Sequence, residues 1–210
     1  MDATPHPTCF FHLGLDPHRK VVLLFGRIRP YKGYELAFRA LDYLSDATKP
    51  VIYLIAGEAV RSQNQKYLAE LKAYVRANQL GEVVRFDDFH IPEAELDVYF
   101  QAADVALLPY LEGDFQSGVL FLAYRFGLPV VASNVGSFPD DVVPGVQGYT
   151  FEAGDAKALA ASLDRFYQCL HPQADLRQMI RTYTQQQYSW EQAATVTYEL
   201  YQKALGYRNG

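Results

Sequence analysis

An α/β domain built on a single doubly wound parallel sheet of about six strands is the fold this sequence predicts. Three observations carry it. Short apolar runs alternate with longer segments whose apolar residues recur every three to four positions, the pattern of successive strand-helix-strand units. Most of the short runs are rich in Val, Leu and Ile on both faces, as strands covered by helices on both sides must be. The chain has 210 residues, half of them apolar, which suffices for one sizeable core.

Taken in order, residues 1–19 carry Pro5, Pro7, Gly14 and Pro17 and read as a lead-in or linker segment outside the core. Strands are expected at 21–25, 51–56, 83–86, 105–108 and 129–132, with a short sixth at 149–151. Between the first two, Leu36, Ala37, Ala40, Leu41 and Leu44 line one face of a helix over 33–44. The next helix opens on Ser62-Gln63-Asn64-Gln65, a capping-box pattern, and runs to about Leu80-Gly81. Pro92 suits a first helical position, so 92–103 forms the third. An almost wholly apolar helix follows the loop that ends at Ser117. Beyond the sixth strand only helices remain, at 155–170, at 176–187 and, behind a second capping box at Ser189-Trp190-Glu191-Gln192, at 190–205. The division expected is a lead-in at 1–19, a Rossmann-like domain at 20–170 and C-terminal helices at 171–210 packing on it.

Composition removes several classes of protein. A net charge of −5 offers no overall field to draw nucleic acid or an anionic membrane. No apolar run approaches the roughly 18 residues that cross a bilayer, and residues 1–9 lack a hydrophobic signal segment, so a cytoplasmic chain is expected. Cys9 and Cys169 make neither a disulfide framework nor a metal spacing; both are read as reduced, with Cys169 on a helix face. No repeat at a fixed period and no heptad occurs.

Loops at the carboxyl ends of parallel strands gather at one edge, and ligands bind in the crevice there. The first such loop leaves its strand at Gly26 and continues Arg27-Ile28-Arg29-Pro30-Tyr31-Lys32-Gly33. A guanidinium grips phosphate oxygens as a fork while an ammonium adds a mobile point charge, so Arg27 and Lys32 suit a diphosphate. The alternative is that these are solvated loop cations. A second loop reads Pro109-Tyr110-Leu111-Glu112-Gly113-Asp114-Phe115-Gln116-Ser117-Gly118-Val119. Free N–H groups of Ser117, Gly118 and Val119 at the start of the next helix would form an anion site, unless Gln116 and Ser117 merely cap it. Phe89, His90 and Ile91 mix aromatic, apolar and polar groups suited to a base-binding wall, although such a loop is more often only a turn. Tyr31, Tyr34, Phe89 and Tyr110 lie near loops and are candidate contact residues.

Absences narrow the chemistry. No G-x-G-x-x-G, no G-x-x-x-x-G-K-S/T and no G-x-S-x-G is present, which weighs against a dinucleotide oxidoreductase, a phosphate-loop hydrolase and a serine hydrolase. Acidic residues pair as Asp87-Asp88 and Asp140-Asp141 but never as Asp-x-Asp, so no divalent-metal clamp on a nucleotide is indicated and metal ligands are expected to be absent.

The run from Leu24 through Gly33, the strand ending Ile55-Ala56-Gly57-Glu58, Ala103-Asp104-Val105, and Gly127-Leu128-Pro129-Val130-Val131-Ala132-Ser133 resemble one family. So do Asn134 through Asp140, with Gly145 and Gly148-Tyr149, and the late Ser189-Trp190-Glu191. Together they resemble the C-terminal, donor-binding domain of family 4 retaining glycosyltransferases of the GT-B fold, over about residues 20–205. The resemblance implies that a nucleoside diphosphate sugar, with UDP or GDP as its nucleotide, is the substrate, that no metal or other cofactor is needed, and that Arg27 and Lys32 contact the diphosphate. It implies donor contacts near Gly26, Gly57, Phe89, His90, Ile91, Asp114, Gln116, Ser117, Gly118 and Val119. Of two family glutamates, the matching positions here are Asp114 and Leu122, which leaves contacts at Asp114 open. It further implies a missing N-terminal domain that holds the acceptor, a polysaccharide or lipid-linked chain, with peripheral association of the full-length protein at the inner face of the membrane. Two alternatives stay open, a non-catalytic nucleotide-sugar-binding or partner module and an epimerase of the same architecture; a phosphorylase is disfavoured, since no lysine sits in a context suggesting a pyridoxal phosphate site.

Overall fold

The computed structural model describes residues 7–49, 51–113, 116–171 and 175–206. Strands Lys20–Phe25 (β1), Val51–Ala56 (β2), Val84–Asp87 (β3), Val105–Leu108 (β4), Val130–Ser133 (β5) and Gly148–Phe151 (β6) form one sheet in the order β3-β2-β1-β4-β5-β6. Every pairing is parallel, with Leu23 opposite Leu54 on one side and Ala106 on the other. The order reverses between β1 and β4, so the loops after those two strands flank the point where such sheets open a crevice. β2, β4 and β5 are buried along their whole length, the reason their sequences run apolar without alternation.

Helices Tyr34–Ala40 (its label α2), Ser62–Ala77 (α3), Leu96–Ala102 (α4), Gly118–Arg125 (α5), Phe138–Asp141 (α6) and Ala156–Arg165 (α7) follow the strands, and Leu176–Gln187 (α8) and Trp190–Gly206 (α9) close the chain. They are preceded by a helix the sequence did not announce, Pro7–Leu13 (α1). The reading of 1–19 as a segment outside the core is corrected over residues 9–15, because Cys9, Phe10, Leu13 and Leu15 are all buried, with α1 packed on α4; residues 1–6 lie outside the described residues. Pro7 and Gly14 are the start and stop of α1. Pro7 stands at its first position. Gly14 adopts φ +62 while its N–H donates to Phe11 O at 3.1 Å and the Leu15 N–H to Phe10 O at 2.8 Å, a left-handed helix stop.

Other boundaries moved for local reasons. A helix over 33–44 becomes α2 plus a 3-10 turn at Leu41–Tyr43. The Ser62 capping box does not form: the chain turns at Arg61, which is the N-cap, so Ser62 is already inside the helix. The second box does form its serine arm, with the Gln192 N–H donating to Ser189 Oγ at 3.1 Å. Pro92 is extended, at ψ 151, and precedes a 3-10 turn at Glu93–Glu95 instead of starting α4. Asp155 caps α7 with bonds from the Lys157 and Ala158 N–H groups, and the helix loosens into a π turn at Phe166–Leu170, where Cys169 is exposed. Of the C-terminal helices, α8 does pack on the domain: Arg177 donates to the carbonyls of Phe100 and Phe126 at 3.1 and 3.4 Å. The described side chains of α9 are exposed, contrary to the expectation that it packs on the domain.

At the amino edge of the sheet, Asp104 joins β1, β4 and the C-terminal turn. Its Oδ2 accepts the buried Val21 N–H at 2.7 Å and the Tyr167 hydroxyl at 3.4 Å, and His171 Nε2 lies 3.3 Å from Oδ1. Substitution Asp104→Ala strands that N–H, and urea unfolding is expected to show a loss of about 1–3 kcal/mol. An unchanged midpoint would remove Asp104 from this role.

Candidate functional site

At the carboxyl edge β1 ends in Phe25 and the chain crosses the mouth of the sheet at Gly26, whose N–H donates to Ala56 O at 2.9 Å. Gly57, after β2, crosses directly beneath it: a Cβ on Gly57 would stand 2.4 Å from Gly26 O. Both glycines serve this close passage of two backbones. A Cβ on Gly26 would also come within 2.9 Å of Lys32 Nζ and 3.3 Å of Val119 Cγ2. The bare backbone of Gly26 is therefore the point at which the cationic loop after β1 meets the first turn of α5 after β4.

Within the loop, Ile28 is fully buried and its N–H donates to Glu58 O at 2.9 Å, which anchors the segment and leaves Arg27 exposed on one side and Arg29 half-buried on the other. A 3-10 turn at Pro30–Lys32 then folds Lys32 back under Gly26. Only 6% of Lys32 is exposed, and its ammonium donates to Phe25 O at 2.8 Å. Burial, with Arg29 adding its charge, pulls Lys32 from 10.5 down to about 7. Among the described residues no carboxylate forms an ion pair with Arg27, Arg29 or Lys32. Two guanidiniums and a buried lysine that pair with no carboxylate among the described residues are an arrangement that an anion would neutralise.

The second loop supplies donors of another kind. Ser117 is the N-cap of α5 but its side chain bonds none of the helix N–H groups; instead its Oγ lies 3.2 Å from the Tyr110 hydroxyl. The Leu120 N–H donates to Ser117 O at 3.0 Å, whereas the N–H groups of Gly118, itself exposed, and Val119 have no acceptor among the described residues. Gln116 is exposed, Val119 half-buried, and Asp114 lies outside the described residues. In the third loop Phe89 is half exposed, Ile91 is buried, and His90 Nδ1 is 3.6 Å from Glu58 Oε1. Expected as contact residues, Tyr34 and Tyr110 are buried, at 1% and 4% exposure. Tyr110 carries a link that no sequence pattern announces: its ring centroid is 5.7 Å from Lys32 Nζ.

Of the two acidic pairs, Asp87, Asp88 and Asp141 have structural partners, while Asp140 is exposed. Asp87 is buried between Arg85 and Tyr99, whose Nε and hydroxyl reach it at 2.8 and 2.9 Å, and Asp88 pairs with Lys72 at 2.9 Å. Asp141 is buried with its carbonyl accepting the Tyr124 hydroxyl at 3.0 Å. Among the described residues no three His, Cys, Asp or Glu side chains gather as a metal site would require. A separate cavity lies at the opposite edge of the sheet, lined by Leu15, Arg19, Ile52, Val84 and Arg85. Arg19 there donates to the carbonyls of Glu82 and Val51 at 2.7 and 3.0 Å, and holds strand starts together far from the crevice.

This fold and this crevice define a class: one Rossmann-like half of a two-domain GT-B architecture, with a cationic loop and a helix start at its topological switch point. The chain belongs to the glycosyl transferases group 1 family, whose model matches residues 7–187. It is similar to a D-inositol 3-phosphate glycosyltransferase of Streptomyces griseus, 30% identical over 204 residues that cover 92% of this chain and 41% of the relative. Among solved structures it is similar to a sucrose-phosphate synthase of Thermosynechococcus elongatus, at 27% identity and TM-score 0.77, covering 97% of this chain and 50% of that one. The fold is shared, at 21% identity and TM-score 0.77, with the Anabaena protein HepE in complex with UDP, covering 96% and 53%. The chain thus spans about half the length of the proteins it matches. Among the described residues no helix is long and apolar enough to cross a membrane.

Proposed function

We propose that this chain is the donor-binding half of a retaining glycosyltransferase, and that it holds the diphosphate of a nucleotide sugar between Arg27, Lys32 and the first turn of α5. The observation that carries this reading is the meeting at Gly26 of the β1 loop cations and the α5 start, on the two sides of the switch point. A diphosphate lying over Gly26 would receive a guanidinium fork from Arg27, the ammonium of Lys32 and backbone donors near Gly118. As the bond between sugar and diphosphate breaks, negative charge grows on the leaving oxygens, and those same donors stabilise it without a metal ion. Gly57, Phe89, His90 and Ile91 border the space beyond the loop crossing, where the base would lie, with exposed Phe89 offering a ring to stack on it. Gln116, Ser117 and Val119 flank the phosphate and sugar side.

Transfer itself requires an acceptor domain. Two features support its existence in the complete protein: relatives of about twice this length, and the exposed Tyr198, Tyr201 and Leu205, which share one face of α9 suited to packing on such a domain. Alone, the chain binds donor and transfers nothing. UDP is the first nucleotide to try, because the HepE structure of the same fold contains it.

A thermal-shift screen of uridine, guanosine and adenosine diphosphates and their sugars tests the reading. One base is expected to raise Tm by on the order of 5–10 °C at a concentration about a hundredfold above its Kd. No shift with any of them, in a chain that melts cooperatively, contradicts it.

A further inference from the structure

Tyr110, at the start of the loop after β4, touches both halves of the crevice. Its ring faces the Lys32 ammonium, its hydroxyl meets Ser117 Oγ at 3.2 Å, and it is 4% exposed. The ring is held on its other sides by Tyr31, edge-on with centroids 5.4 Å apart, and by Phe138 at 5.3 Å. Next in the chain, the Leu111 N–H donates to Tyr31 O at 2.8 Å, so the β4 loop is bonded to the turn that carries Lys32. Packed on four sides, the ring has little room to change rotamer. Burial pushes its phenol up to about 12, which keeps the hydroxyl protonated at neutral pH.

We propose that Tyr110 is a positioning residue that fixes the Lys32 ammonium and the start of α5 relative to one another, so that both arms meet one diphosphate at the spacing it requires. The inference rests on the diphosphate reading given above. By engaging Ser117 Oγ, Tyr110 ties the N-cap of α5, and with it the N–H groups of Gly118 and Val119, to the turn that carries Lys32. By placing an aromatic face beside Nζ, it stabilises the charged form of a buried lysine whose ammonium otherwise has the Phe25 carbonyl as acceptor and the charge of Arg29 against it. Among the described residues, the titratable groups facing Lys32 are Arg29, Tyr34 from α2 and Tyr110 itself.

A double-mutant cycle on the 210-residue chain, read as calorimetric affinity for uridine or guanosine diphosphate, tests this. Tyr110→Phe keeps the ring and removes only the hydroxyl; it is expected to weaken binding about fivefold, Ser117→Ala by a similar factor, and the double variant by little more than either. Tyr110→Phe and Lys32→Ala act on different arms, so their factors should multiply. Tyr110→Leu removes the aromatic face, and the pH midpoint at which affinity falls should move relative to wild type, whereas Tyr110→Phe should leave it in place. Unchanged affinity in Tyr110→Phe, or independent factors for Tyr110→Phe and Ser117→Ala, overturns the proposal. So does a Tyr110→Leu chain that loses thermal stability but keeps the wild-type pH midpoint, since Tyr110 is then a core residue alone. If the wild-type chain binds neither diphosphate, the diphosphate reading itself fails; binding without coupling defeats only the role of Tyr110.

Discussion

Lys32→Met is expected to make the free chain more stable and the liganded chain less so. In the folded chain Lys32 titrates near 7 instead of 10.5, because burial and Arg29 disfavour its charge. Below pH 7 the folded and unfolded chains both carry the proton, and the cost of burying the ammonium falls on the folded state in full. Between pH 7 and 10.5 the unfolded chain retains a proton that the folded chain has released, so this group's contribution to stability rises with pH across that window. Methionine fills a similar volume without the charge, so urea midpoints of the variant should exceed wild type most at pH 6.5 and converge with it toward pH 10. Binding moves the other way. A diphosphate supplies the anion that the buried ammonium lacks, and its removal is expected to cost about 1.5–3 kcal/mol, roughly 10- to 150-fold in Kd. A wild-type chain whose stability is flat from pH 7 to 9 relative to Lys32→Met would show that the ammonium is solvated.

Gly33→Ala is expected to be the most damaging single change at the site. Gly33 sits at φ +71, where an L side chain costs roughly 1–2 kcal/mol, and its Cβ would lie 2.0 Å from the Pro109 carbonyl oxygen. Backbone has to move, since neither side of that contact is a flexible side-chain end. With overpacking added, urea unfolding should show a loss of roughly 2–5 kcal/mol. The displacement separates the turn of Lys32 from the β4 loop of Tyr110, so the residual folded chain should also bind diphosphate more weakly. Gly81→Ala is the control, because a Cβ there meets nothing within 4 Å; it should be near neutral. Equal stability of the two variants would mean that the Gly33–Pro109 contact is not tight.

The sheet was legible because two-sided burial leaves a continuous apolar run that periodicity alone detects. β2 and β4 fall at the expected residues, and the other four strands moved by a single position at one end or both. Helix starts were less legible. Ser62 and Ser189 open the same four-residue pattern, yet only Ser189 caps, because the position at which the preceding loop delivers the chain decides which residue is the N-cap. α1 was hidden by its own punctuation, since Pro7 and Gly14 look alike in a linker and at the two ends of a short helix. At the candidate site, the sequence shows which residues stand after β1 and β4, and the topology brings those loops together. It does not show that Lys32 is buried while Arg27 is exposed. That difference depends on the 3-10 turn at Pro30–Lys32 and on Tyr110, far along the chain. Nor does it show that Ser117 turns its hydroxyl toward Tyr110 and away from the helix it begins.

The claim that Arg27 and Lys32 hold a diphosphate without a metal is tested most directly by one titration. The matching nucleoside diphosphate is added to wild type, Arg27→Ala and Lys32→Ala by calorimetry, in a chelator that removes divalent cations. Binding by wild type in the chelator, with Kd weakened roughly tenfold or more in each variant, is the predicted result. Binding that appears only when a divalent cation is restored, or affinities equal in all three chains, would contradict it.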